Sequence, residues 1–114
     1  MDVILQPGEE ILKRGFANLQ KNAETVGGEL CLTTKRLIFQ AHPFNVQRGE
    51  TQIELSKIQS LEQSWTKLLG FIPLCPNAFL VRLREGREHR FTVWKRGRWI
   101  RAVEATPSAA CLAL

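Results

Sequence analysis

Eight cations fall between Val81 and Arg101 in this chain: Arg82, Arg84, Arg87, Arg90, Lys95, Arg96, Arg98 and Arg101, against only Glu85 and Glu88. The remaining sequence carries eight bases and nine acids, so the formal net charge of +5 is concentrated in the C-terminal third. Guanidinium groups are planar forks that match phosphate and carboxylate oxygens, and a one-sided basic surface favours an anionic partner. A row of arginines alternating along a strand also arises as a plain solvated face, so the test is whether they converge. Nucleic acid is not expected, because exposed aromatic stacking partners are not apparent: Phe91 and Trp99 occupy core-facing positions of their elements. Catalysis is not expected either. The two histidines, His42 and His89, have no nucleophile partner in a recognisable motif, and the chain contains no Gly-rich phosphate loop and no paired-carboxylate signature. Cys31, Cys75 and Cys111 lack any Cys-x-x-Cys or Cys/His spacing, so no metal, cofactor or disulfide is called for, and Cys31 and Cys75 read as small apolar filler.

A second feature is apolar. The segment Trp65-Thr66-Lys67-Leu68-Leu69-Gly70-Phe71-Ile72-Pro73-Leu74-Cys75-Pro76 is too hydrophobic for an ordinary surface connection. Left exposed it makes a patch of the kind that marks protein or membrane contacts, with Trp65, Leu68, Leu69, Phe71 and Ile72 as candidate interface residues. Packing on the domain or against a second copy of the chain, giving a homo-oligomer, is favoured over membrane insertion. The stretch is interrupted by Gly70, Pro73 and Pro76 and falls short of the roughly 20 apolar residues of a membrane span, so no transmembrane segment is expected. The N-terminus lacks the basic start and apolar core of a secretory signal, which makes a reducing, cytoplasmic setting the default. The terminal Cys111-Leu112-Ala113-Leu114 formally fits a prenylation box but reads as tail.

The elements that must position these groups are short strands. With 114 residues, of which 44% are hydrophobic and 24% charged, the chain suits one compact domain with one core. Glu10 to Gln20 alternates loosely and reads as a strand. Leu30 and Leu32 then face one way while Glu29, Cys31 and Thr33 face the other, and a turn at Thr33-Thr34-Lys35 leads into Arg36 to Ala41. Thr51 to Leu55 is a short strand, and Ser56-Lys57-Ile58 turns into a piece continued by Leu61 and Trp65. Asn77 to Glu85 reverses at Glu85-Gly86-Arg87 into His89 to Trp94, the clearest hairpin of the chain. The period then changes, and Trp99, Ile100 and Val103 predict an amphipathic helix over Arg98 to Ala105. Leu30, Leu32, Leu37, Phe39, Ile53, Leu55, Phe91, Val93, Trp99 and Ile100 are the expected core.

The run Gly28-Glu29-Leu30-Cys31-Leu32-Thr33-Thr34-Lys35-Arg36-Leu37-Ile38-Phe39 resembles the signature of the GRAM domain, a member of the pleckstrin-homology-like superfold. Ile53 to Ile58 is similar to the family's fourth strand and following turn, Leu80 to Val93 to its last two strands, and Trp99-Ile100 to the start of its closing helix. The resemblance implies a mainly β fold, a pleckstrin-homology-like barrel of two near-orthogonal antiparallel sheets with about seven strands and a C-terminal helical cap. A single domain over residues 1–106 and a flexible tail over 107–114 follow from it. It also implies a non-catalytic module that recruits a protein partner or an anionic phospholipid, at the membrane periphery in the latter case. In such folds three loops flank a headgroup pocket, which makes Lys21, Arg48, Arg84, Arg87 and Arg90 the candidate ligand-binding set.

Overall fold

The computed structural model describes residues 3–21, 24–41, 50–68 and 72–109. Seven strands run in chain order: β1 Ile11–Lys21, β2 Glu24–Thr33, β3 Arg36–Ala41, β4 Glu50–Glu54, β5 Ile58–Leu68, β6 Ile72–Leu83 and β7 Glu88–Val93. A 3-10 turn, Leu55–Lys57, joins β4 to β5, and the helix α1 spans Arg96–Glu104. All pairings are antiparallel, and hydrogen bonding links the strands into one sheet of order β4-β3-β2-β1-β7-β6-β5. β1 is the shared strand: its whole length pairs with β2, but only Ala17 to Gln20 also pair with β7.

The sheet curls strongly. Phe39 on β3 and Phe91 on β7 stand three strand spacings apart, which in a flat sheet would separate them by roughly 14 Å. Their ring centroids are 6.0 Å apart. The sheet therefore curls around its concave face, and the core fills that face. Gly28 makes part of this approach possible, since a Cβ there would fall 2.1 Å from the Gln40 carbonyl oxygen. At the β6–β7 reversal, Gly86 takes φ +106, a conformation that side chains rarely adopt.

Leu30, Leu32, Leu37, Phe39, Ile53, Leu55, Phe91, Val93 and Trp99 are all buried in this core, joined by Leu19, Ile58, Phe79, Val81 and Val103. Ile100 is a correction. Trp99 and Val103, four residues apart, share the inner stripe of α1, and Ile100 is rotated about 100° from Trp99 and is only partly buried. Cys31 is buried as expected, paired across the ladder with Ile38, and burial pushes its thiol pKa up. The side chain of Cys75 lies outside the described residues, as does Cys111. Pro107 to Ala109, read from sequence as the start of a tail, stays on the domain: the Ser108 hydroxyl donates to the Thr34 carbonyl at 2.7 Å, and Ala109 is fully buried.

Candidate functional site

The β6–β7 turn forms one wall of a cavity of about 340 Å³ whose other wall is the β4–β5 connection. Arg84 and Arg87 line it, as proposed from the sequence, together with Lys57, which sequence reading had not singled out. The hydrogen bond from the Arg84 backbone N–H to the Lys57 carbonyl, at 3.0 Å, fixes the two walls against each other. Glu54 and Glu85 line the same cavity. Glu54 stands 3.7 Å from the Lys57 ammonium, and Glu85 pairs with Arg87. Three cations against two carboxylates leave the site close to neutral.

Of the other three candidates, only the Arg90 side chain is among the described residues, and it does not line this cavity. Arg90 follows from strand alternation: Phe91 points into the core, so Arg90 points out, and its Nε donates to the Ser64 hydroxyl on β5 at 2.9 Å. Lys21 ends β1, and its side chain is outside the described residues. Arg48 lies outside them altogether.

The opposite end of β7 looks different. The last β6–β7 pair is Ala78 with Thr92, whereas β5 and β6 continue to pair with each other through Thr66–Cys75, Lys67–Pro73 and Leu68–Ile72. The apolar segment is thus a two-stranded arm that, among the described residues, has no third strand. Of the candidate interface residues, Trp65 lies at its root, 48% exposed, Leu68 ends β5 and Ile72 begins β6. Leu69 and Phe71 lie outside the described residues. Arg96 grips the root as well, its Nη1 donating to the Ser64 carbonyl at 2.7 Å. Next to it, Trp94 is 82% and Phe16 78% exposed, and both line an open groove of about 450 Å³ with Asn77 and Thr92. Lys95, between Trp94 and Arg96, is in the left-handed region at φ 58, which aims the chain sharply into α1.

A family model for the GRAM domain matches residues 1–91. The chain belongs to the GRAM domain family. Three solved structures share its fold. The C-terminal domain of an unknown protein from Leishmania infantum superposes with a TM-score of 0.71 at 19% identity, over 88% of this chain and 85% of that one. The Vps36 N-terminal PH domain gives 0.67 at 13% identity over 96% and 86%, and the linker-DH/PH domains of p115-RhoGEF give 0.65 at 14% over 96% and 31%. No curated protein matches the sequence significantly.

This GRAM domain also contains a buried ionic network that sequence reading missed. Glu9 and Arg36 form a two-pronged pair, Nε to Oε2 at 2.8 Å and Nη2 to Oε1 at 2.6 Å, with both side chains almost entirely buried. The Thr33 hydroxyl also donates to Glu9, and Arg36 extends to the Ile4 carbonyl at 3.0 Å. The Arg36 guanidinium holds the Glu9 carboxyl down to about 2 from its usual 4.5, against the opposing effect of burial and with help from Thr33. The pair straps the segment before β1 across the β2–β3 hairpin, inside the signature run itself. Arg36 also lines a cavity of about 390 Å³ with Gln6, Lys35, Glu54, Ser56 and Ser108. Among the described residues no group of three His, Cys, Asp or Glu could hold a metal ion, and no helix is long and apolar enough to cross a membrane.

Proposed function

We propose that this GRAM domain is a non-catalytic recruitment module that meets an anionic surface with the end where β7 passes into α1. One observation carries the reading. Arg14, Arg36, Lys57, Arg82 and Arg87 each have a carboxylate partner, while Lys13, Lys35, Arg90, Lys95, Arg96, Arg98 and Arg101 have none among the described residues, and five of these seven lie from β7 into α1. Uncompensated cations are those that a phosphate or carboxylate surface gains most by neutralising. The curl of the sheet is read here as two layers crossing near a right angle, and the setting as the cytoplasmic face of a membrane, held peripherally. GRAM and PH-like domains are binding modules for lipids or proteins, and the charge pattern favours the lipid side of that division.

Vesicles carrying phosphatidylserine should bind the chain, less so as salt rises, and pure phosphatidylcholine vesicles should not. Binding that ignores both lipid charge and salt would refute the reading. A second reading, self-association through the apolar segment 68–74, is favoured by the unpartnered arm alone and predicts a dimer by light scattering with no lipid dependence. Arg84 and Arg87 of the five-residue headgroup set, with Lys57 added, form a subsidiary phosphate-sized site.

A further inference from the structure

We infer that the outer face of the sheet, where β1 meets the end of β7, is a binding site for single-stranded nucleic acid, with bases stacking on Phe16 and Trp94 and the sugar–phosphate backbone lying along the basic side of α1. The inference goes beyond the recruitment surface proposed above: it uses some of the same cations, adds an aromatic groove and does not require lipid.

Strand register builds the groove. Ala17 and Val93 pair across β1 and β7 and both are buried in the core, so Phe16 and Trp94, the next position along this ladder, are turned to the outer face. Phe16 is 78% and Trp94 82% exposed, and both line the same open groove of about 450 Å³. Gly27, opposite Asn18 in the β1–β2 register, leaves part of the floor without a side chain. The polar side chains of the lining are Asn18, Asn77 and Thr92, and no charged residue contributes to it. Stacking platforms that the sequence does not reveal are therefore present.

Charge beside the groove is the second observation. After Trp94 come Lys95, Arg96, Arg98 and Arg101, none with a carboxylate partner among the described residues. Arg98 and Arg101 are exposed and three residues apart, so they stand on one side of α1. A Cβ at Gly97 would lie 3.3 Å from Arg101 Nη1, which shows the Arg101 guanidinium folded back over Gly97, toward the Trp94 end of the helix. Carboxylates on the surrounding elements are engaged or distant in the chain. Glu29, opposite Phe16 on β2, is held by Arg14, Glu62 and Glu88 pair with Arg82, and Glu104 closes the other end of α1. Arg90 shares its sheet face with Glu62 and Glu88 and is left out of the site. An uncharged aromatic groove beside unopposed cations asks for a ligand with flat rings and anions together. A single strand supplies both, whereas an acyl chain would bury the exposed Asn18 and Asn77, and an uncharged peptide or glycan would leave the cations without a partner.

The test uses the full chain with fluorescein-labelled oligothymidylate and oligouridylate of about twelve nucleotides, within the span that one small single-strand-binding domain covers. Binding of either supports the site, and the tighter one names the sugar it takes. The strand should bind more tightly than a duplex of the same length, quench tryptophan emission, and dissociate as salt rises. Phe16→Ala with Trp94→Ala should lose about tenfold or more in affinity, together with the quenching, at an unchanged melting temperature, while Trp94→Phe keeps most of the affinity. If the double variant lowers the melting temperature, Trp94→Ala alone, at a position 82% exposed, provides the same readout. Arg98→Gln with Arg101→Gln should weaken binding and flatten the log–log salt slope by roughly 0.7 per cation. An aromatic variant that holds the strand as tightly as wild type, or a duplex bound as tightly as the single strand, would overturn the groove. No oligonucleotide binding by a chain that binds phosphatidylserine vesicles would overturn the inference and leave the recruitment reading standing. Strand binding without vesicle binding would do the reverse, and binding to neither would overturn both.

Discussion

The two ends of β7 are roughly 17 Å apart and use the same residue types to opposite effect. At the β6–β7 turn, Lys57 and Arg87 sit beside Glu54 and Glu85, and the cavity they line is close to neutral. Toward the β7–α1 junction, Arg90 donates to the Ser64 hydroxyl and Arg96 to the Ser64 carbonyl and to Gln63, and neither they nor Lys95 have a carboxylate partner among the described residues. Counting arginines favours neither end. Counting the carboxylates within reach decides it, and the aromatic side chains agree, since Trp65, Trp94 and Phe16 are exposed at the second end. The cavity at the first end holds two carboxylates among its three cations, whereas the cations at the second end have no carboxylate partner among the described residues.

The comparison depends on a rigid body between the two ends, and the strap before β1 is the place to break it. Glu9→Gln leaves the Arg36 guanidinium buried and unpaired, and should cost about 3–5 kcal/mol in chemical denaturation. The same pair sets an acid limit. Because the Glu9 pKa is lowered in the folded state, its contribution is complete above 4.5 and drains away as pH falls toward about 2. Wild type should lose stability across that window by more than Glu9→Gln does, and parallel losses would remove the assigned cause.

Loosening one end alone sharpens the contrast. Trp99→Ala removes the anchor that packs α1 against Gly15 and the core, and should cost about 3–5 kcal/mol. Amide exchange should rise in α1 and around Ser64 before it rises at the β6–β7 turn. An unchanged melting temperature would contradict the helix packing. The smallest effect belongs to the other end: Gly86→Ala forces a side chain into φ +106 and should cost about 1 kcal/mol, with vesicle binding untouched.

Much of the frame was legible because it is local. The Leu30/Leu32 alternation, the turn at Thr34-Lys35 and the Glu85-Gly86 reversal announce β2, β3, β6 and β7 within a few residues of each hairpin. Arg90 was readable too, since a neighbour of core-facing Phe91 must point outward, away from a pocket it had been assigned to share. The Glu9–Arg36 pair was not readable: its partners are 27 residues apart, and no periodicity distinguishes a buried carboxylate in a loop from a solvated one. The arm was half legible. Its composition showed that Trp65 to Pro76 was no ordinary loop, but two prolines and an unbroken apolar run hide the strand alternation. Its isolation from β7 is a property of the pairing register.

The central claim is that the β7–α1 end, and not the β6–β7 cavity, meets an anionic surface. Binding to phosphatidylserine vesicles should be compared for Lys95→Gln with Arg96→Gln and for Arg84→Gln with Arg87→Gln. At about 1 kcal/mol per cation near such a surface, the first pair should lose about thirtyfold in affinity. The second pair lies beyond the ~8 Å over which physiological salt screens charge and should change by less than about twofold. Equal losses in the two pairs, or a larger loss at the cavity, would contradict the account.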